Sequence, residues 1–119
     1  MTQFNEEEHP WRNPIRVGEL CSVYLDKYPV TKGHTLFVPA HDDDMHIAVC
    51  FAAALNAGGR MVQDGECDDF NIGYNSGSTA GRSVDWPHVH LIPRRHGDVD
   101  NPRGGVRGVI PSKQDYKHE

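Results

Sequence analysis

The run Ser83–Arg95 constrains this chain more than any other stretch. It sets His88 and His90 two residues apart among Val84, Val89, Leu91 and Ile92, and closes on Pro93-Arg94-Arg95. Such a run reads as a β-strand over Val84–Pro93. Alternation then turns Trp86, His88 and His90 to one face and Val89 and Leu91 to the other. Pro87 removes one ladder donor, which places it at an edge or a non-bonded position. Two imidazoles side by side on a rigid strand hold either a nucleophile and its polar partner or half of a metal site.

The 119 residues fit one domain, 1–119, with a polar leading segment over 1–13 and a Gly-, Pro- and Arg-rich tail over 96–119. The net charge of −5 gives no overall field for nucleic acid. A phosphate ligand must be held by local groups. The three cysteines, Cys21, Cys50 and Cys67, form neither a zinc pair nor a disulfide framework and read as small buried hydrophobes. The acidic start Glu6-Glu7-Glu8 is unlike a signal peptide, and no apolar run approaches the ~20 residues that span a bilayer. The expectation is a cytoplasmic protein with reduced thiols and no membrane partner.

Upstream, Ile15–Leu25 is strand-like, with a turn at Gly18-Glu19 and a strand from Leu20 to Leu25. Residues 34–39 read as a strand closed by Pro39, and Asp69–Tyr74 as another. Asp42, Asp43 and Asp44 suit the start of a helix better than a metal cluster, because carboxylates cap free N–H groups there. Ile47, Phe51, Ala54, Leu55, Met61 and Val62 carry helical spacing to about Gln63, with Gly58-Gly59 as a weak point. The pattern is α+β: a mostly antiparallel sheet and one long helix.

A third ligand for a metal at His88 and His90 is available in His34, but the cationic Arg94-Arg95 flank suits a phosphate better than a divalent cation. Trp11 packs on the core or at a dimer seam. Arg103 and Arg107 belong to a solvated basic loop or reach a phosphate. His9, His41, His46, His96 and His118 show no constellation.

The block Asn75–Arg94 resembles the signature of the histidine-triad nucleotide hydrolases and transferases: an Asn, a Gly-rich loop, a step ending in Ser-Val, then spaced histidines and Ile-Pro-Arg. The run Asp26–Pro39, with Pro29 and Gly33-His34 inside it, is similar to a second element of that family. The resemblance implies five strands and a homodimer joining sheets edge to edge. It implies His88 as the nucleophile that takes a nucleotidyl group from an α-phosphate. His90 would lie near the phosphate and the leaving group, with His34 supporting both. It implies phosphate or nucleotide contacts from Asn75, Gly81, Arg82 and Ser83, and ribose contacts from Asp26. No cofactor is bound by the protein on this reading; Mg²⁺ would arrive with the substrate.

Two positions depart from the pattern. Trp86 stands where the first triad histidine is expected, and Arg82 where glutamine is usual. In the family the nucleophile's outer N–H is held by the backbone carbonyl of that first position, and Trp86 retains a carbonyl. Trp86 and Arg94 are therefore open as site residues. The alternatives to a hydrolase are a nucleotide-binding module with decayed catalysis and a His-based metal enzyme.

Overall fold

A computed structural model describes residues 3–116; His118 lies outside them. Five strands and one long helix follow one another: β1 Arg16–Val17, β2 Cys21–Leu25, β3 Thr35–Pro39, α1 Asp44–Gln63, β4 Asp69–Tyr74 and β5 Val89–Arg94. They form one sheet in the order β1-β2-β3-β5-β4, with every neighbour antiparallel. The expected α+β architecture of five strands is what the chain adopts.

The pleat sorts the core into two layers. On one face Val23, Phe37, Val89 and Leu91 meet Cys50 and Ala54 of α1. On the other, Leu36, Val38 and Tyr24 meet Trp11 and Trp86. Period-two alternation along β3 does the sorting, with Phe37 turned to the helix and Leu36 and Val38 turned away.

The helix begins where the acidic run predicts. Asp43 is the N-cap, and its Oδ1 accepts the His46 N–H at 2.8 Å. The buried positions His46, Cys50, Ala54 and Gly58 recur every four residues and form one stripe against the sheet. Gly58-Gly59 does not break the helix. A Cβ at Gly58 would lie 2.8 Å from the Phe70 ring, so glycine is what lets α1 approach β4. By length and composition α1 is apolar enough to cross a membrane, with a mean hydropathy of 1.3. This corrects the expectation that no segment approaches that length; here its buried stripe lies on the sheet.

The histidine strand starts later than the sequence suggests. β5 begins at Val89, and Trp86, Pro87 and His88 precede it in an irregular approach. Pro87 thus stands outside the ladder, where its missing N–H costs no strand bond. The leading segment is not merely polar either. Phe4, His9 and Trp11 stack together against Trp86 and Tyr24 on the sheet face opposite α1. The tail is ordered but irregular, with short 3-10 turns at Gly105–Val109 and Pro111–Lys113. Arg103 pairs with Asp115 at 3.2 Å, and Arg103 and Arg107 both lie over the Tyr116 ring. Both arginines make their contacts within the tail.

Cys50 and Cys67 are buried and Cys21 is half-buried, all as free thiols. The Cys50 thiol donates to the Cys21 sulfur at 3.3 Å.

Candidate active site

His90 sits mid-sheet on β5, opposite Leu36 of β3 and Gly73 of β4. His88, just ahead of the strand, brings its ring centroid within 5.0 Å of the His90 ring. His34 enters from the turn before β3, 5.2 Å from His90 between centroids. The three rings gather on the face away from α1. His88 and His90 open on a cleft of about 600 Å³ lined also by Trp11, Asp26, Leu36 and Ser83.

Hydrogen bonds fix the tautomer of each ring. His88 Nδ1 lies 2.9 Å from the Trp86 carbonyl. A carbonyl only accepts, so Nδ1 carries the proton and Nε2 keeps its lone pair. The Val30 N–H donates to His34 Nδ1 at 3.2 Å, so the His34 proton is on Nε2. That Nε2–H points at His90 Nδ1, 2.9 Å away, which makes His90 a donor through its own Nε2. One ring therefore offers a lone pair and its neighbour an N–H.

Burial is the main cause that holds His88 and His34 below the ordinary imidazole value. His90 is pushed down to about 4, first by burial and then by the two histidines beside it. For His88 the Arg82 charge acts in the same direction, against the raising effects of the Trp86 carbonyl and Asp26.

Asp26 accepts the Tyr28 N–H through Oδ1 at 2.8 Å, and its Oδ2 lies 3.5 Å from His34 Nε2. Atoms of Asp26, His34 and His90 lie within 4.8 Å of one another, close enough for a metal ion. The donor chemistry opposes that use. A metal on His34 Nε2 needs the proton moved to Nδ1, where the Val30 N–H already points.

Other expected site residues take different places. Asn75, Gly81 and Arg82 lie outside the cleft lining. Gly81 closes the turn Ser78–Ala80 in a left-handed conformation at φ 102°. Arg82 donates to the carbonyls of Asn75, Ser76 and Asp85 at 3.0, 2.6 and 2.7 Å, and to the Tyr74 hydroxyl at 3.4 Å. It ties the loop before His88 together, and none of these acceptors is a carboxylate, so its charge stays uncompensated by them. Arg94 is held by Asp98 at 2.8 Å and by Asn71 at 2.8 Å, away from the histidines. Trp86 is buried, and its indole N–H donates to the Pro39 carbonyl at 3.0 Å. Its side chain is packing while its backbone orients His88.

A histidine oriented by a carbonyl two residues upstream, beside a second imidazole, is the arrangement that the histidine-triad resemblance implies. The HIT domain family profile matches residues 14–97. The chain belongs to the HIT domain family. Among the relatives of this HIT protein is an adenosine 5'-monophosphoramidase of Saccharomyces cerevisiae, 35% identical over 96 residues. That match covers 78% of this chain and 58% of the yeast protein. An adenylylsulfatase of Arabidopsis thaliana is 30% identical over 88 residues, 67% of this chain and 44% of the plant protein. The HIT chain thus spans about half the length of these relatives. A zinc-bound histidine triad family protein of Mycobacterium smegmatis shares the fold, with a TM-score of 0.66 and 30% identity. The alignment covers 71% of this chain and 67% of that one.

Several lining residues escaped the sequence reading as site residues, Trp11 and Arg12 among them. Trp11 and Arg12 come from the leading segment, ahead of the family match. The only signal was a tryptophan amid polar residues.

Proposed function

We propose that the protein is a hydrolase or transferase acting on the α-phosphate of adenylylated compounds, by way of a nucleotidyl-His88 intermediate. The observation that carries this reading is the His88 ring itself: Nδ1–H locked on the Trp86 carbonyl and Nε2 left bare beside the His90 donor. The named activities of relatives, a monophosphoramidase and an adenylylsulfatase, support a nucleotide substrate whose phosphorus carries a nitrogen or oxygen leaving group.

Neutral imidazole approaches an anionic phosphoryl group without charge repulsion. In the first step the Nε2 lone pair forms a bond to phosphorus, and the leaving group departs with the electrons of its own bond. His90, neutral at pH 7, steadies the departing atom by hydrogen bonding rather than by giving up its proton. Sulfate leaves directly as an anion, and an amine leaves after its nitrogen has taken a proton from solvent. In the second step a water oxygen bonds to phosphorus and the N–P bond breaks. His88 recovers its lone pair, and the two protons of water leave on the mononucleotide and to solvent. Asp26, an acceptor at the cleft wall, takes the two ribose hydroxyls. No resident metal is needed on this reading, since the His34 tautomer opposes one; Mg²⁺ arrives on the substrate.

The working form is a homodimer. Among the described residues β4 pairs only with β5, and beside it Phe51, Leu55 and Val62 of α1 expose apolar surface. Joining two β4 edges across this surface covers both.

His88→Ala tests the mechanism. Turnover of adenosine phosphoramidate or adenylyl sulfate is expected to vanish while AMP still binds. Quenching the parent enzyme with labelled substrate is expected to trap an acid-labile adduct on residue 88. Full activity in the variant would overturn the covalent route.

A further inference from the structure

Trp11 carries a donor that no group of the protein takes up. An indole has one polar group, its N–H, and that of Trp11 is left open rather than sealed in the core. The two tryptophans differ here. Trp86, at 6% exposure, gives its N–H to the Pro39 carbonyl. Trp11, at 8% exposure, makes no side-chain hydrogen bond among the described residues. Its ring forms part of the cleft wall and stands edge-on to His88, with 5.0 Å between centroids and 62° between planes.

The segment that presents it is well anchored. The Phe4 N–H bonds the Ala40 carbonyl at 2.8 Å, and the Tyr24 hydroxyl donates to the Glu6 carboxylate at 2.7 Å. The Arg12 guanidinium gathers the carbonyls of Glu6, His9 and Trp11. Phe4, His9 and Tyr24 pack around the indole. A neutral ring donor is thus held rigidly beside the nucleophile, by a part of the chain ahead of residue 14, where the family match begins.

We propose that the Trp11 indole N–H binds an oxygen of the phosphate group that His88 attacks. This rests on the nucleotide reading above and adds to it a phosphate-binding residue from outside the family-matched segment. The acceptor is an anionic phosphoryl oxygen, because that group must come within bonding reach of His88 Nε2. A donor bound there also gains strength as charge shifts onto the oxygens during transfer. With Trp86 in place of an imidazole, the leading segment brings a second ring N–H to the site beside that of His90.

The test uses the full chain labelled with ¹⁵N and follows the two indole resonances, with Trp11→Phe identifying the Trp11 signal. AMP is expected to move the Trp11 proton downfield and leave that of Trp86 in place, while adenosine, which lacks the phosphate, moves neither. Trp11→Phe keeps an aromatic ring against Phe4 and His9 and removes only the donor. It is expected to bind AMP roughly tenfold more weakly, with adenosine affinity unchanged. Three results overturn the assignment: AMP binding with the Trp11 resonance unmoved, an equal shift with adenosine, or AMP affinity in Trp11→Phe equal to the parent. Failure of AMP to bind the parent at all brings down the nucleotide reading as well, which separates the two failures.

Discussion

Burial lowers the proton affinity of each imidazole at the cleft, and this links the cleft to stability. His90 has a folded-state value of about 4, against the ordinary ~6.5 of an exposed histidine in the unfolded chain. Between those values the unfolded chain binds a proton that the native chain refuses. Native stability therefore falls as pH drops from about 6.5 towards 4, and is fully present above that window. His88 and His34 are shifted in the same direction and add to the slope. Urea midpoints measured from pH 7.5 to 4.5 are expected to decline, and less steeply in His90→Asn. A midpoint that rises on acidification contradicts the buried neutral rings. At this scale the sequence disclosed His88, His90, His34 and Asp26, because their spacing and order are specific. It did not disclose Trp11, since one aromatic in a polar stretch has no periodicity to place it. Arg82 was visible as a charge but not as a clasp, because its acceptors are backbone carbonyls that no motif encodes.

Among the elements, α1 and β4 show how one missing methyl group governs packing. Glycine inside a helix ordinarily costs ~0.5–1 kcal/mol relative to alanine. Gly59→Ala meets nothing within 4 Å and is expected to gain about that amount. Gly58→Ala drives a methyl into the Phe70 ring at 2.8 Å and is expected to lose ~1–3 kcal/mol through overpacking. Thermal or urea unfolding of the pair decides it; equal effects at both positions refute the close approach. Nothing in the residue pattern distinguishes which glycine faces β4, so the pair reads as a weak point. The span Asp69–Tyr74 was legible to its ends because acidic and Asn-Ser-Gly punctuation bounds it. The start of β5 was not, because Val84 continues an apolar pattern through residues that pack on the sheet face but stay out of its ladder.

The whole molecule leaves an apolar stripe of α1 beside a strand edge. Phe51 is 38% and Leu55 61% exposed, and the Phe51 ring meets Tyr74 of β4 at 6.0 Å. If two copies join there, Leu55→Glu places like charges across the seam, and sedimentation is expected to show monomers where the parent sediments as a dimer. A monomeric parent would remove the dimer from the account. The histidine cleft lies on the opposite face of the sheet. The bond from the Trp86 carbonyl to His88 has a last consequence, for inheritance. Every amino acid at position 86 brings the same carbonyl, so no point substitution there deletes the orienting acceptor outright. A lineage can exchange that side chain and keep its reactive ring aimed, and only a change in loop length or path removes the aim.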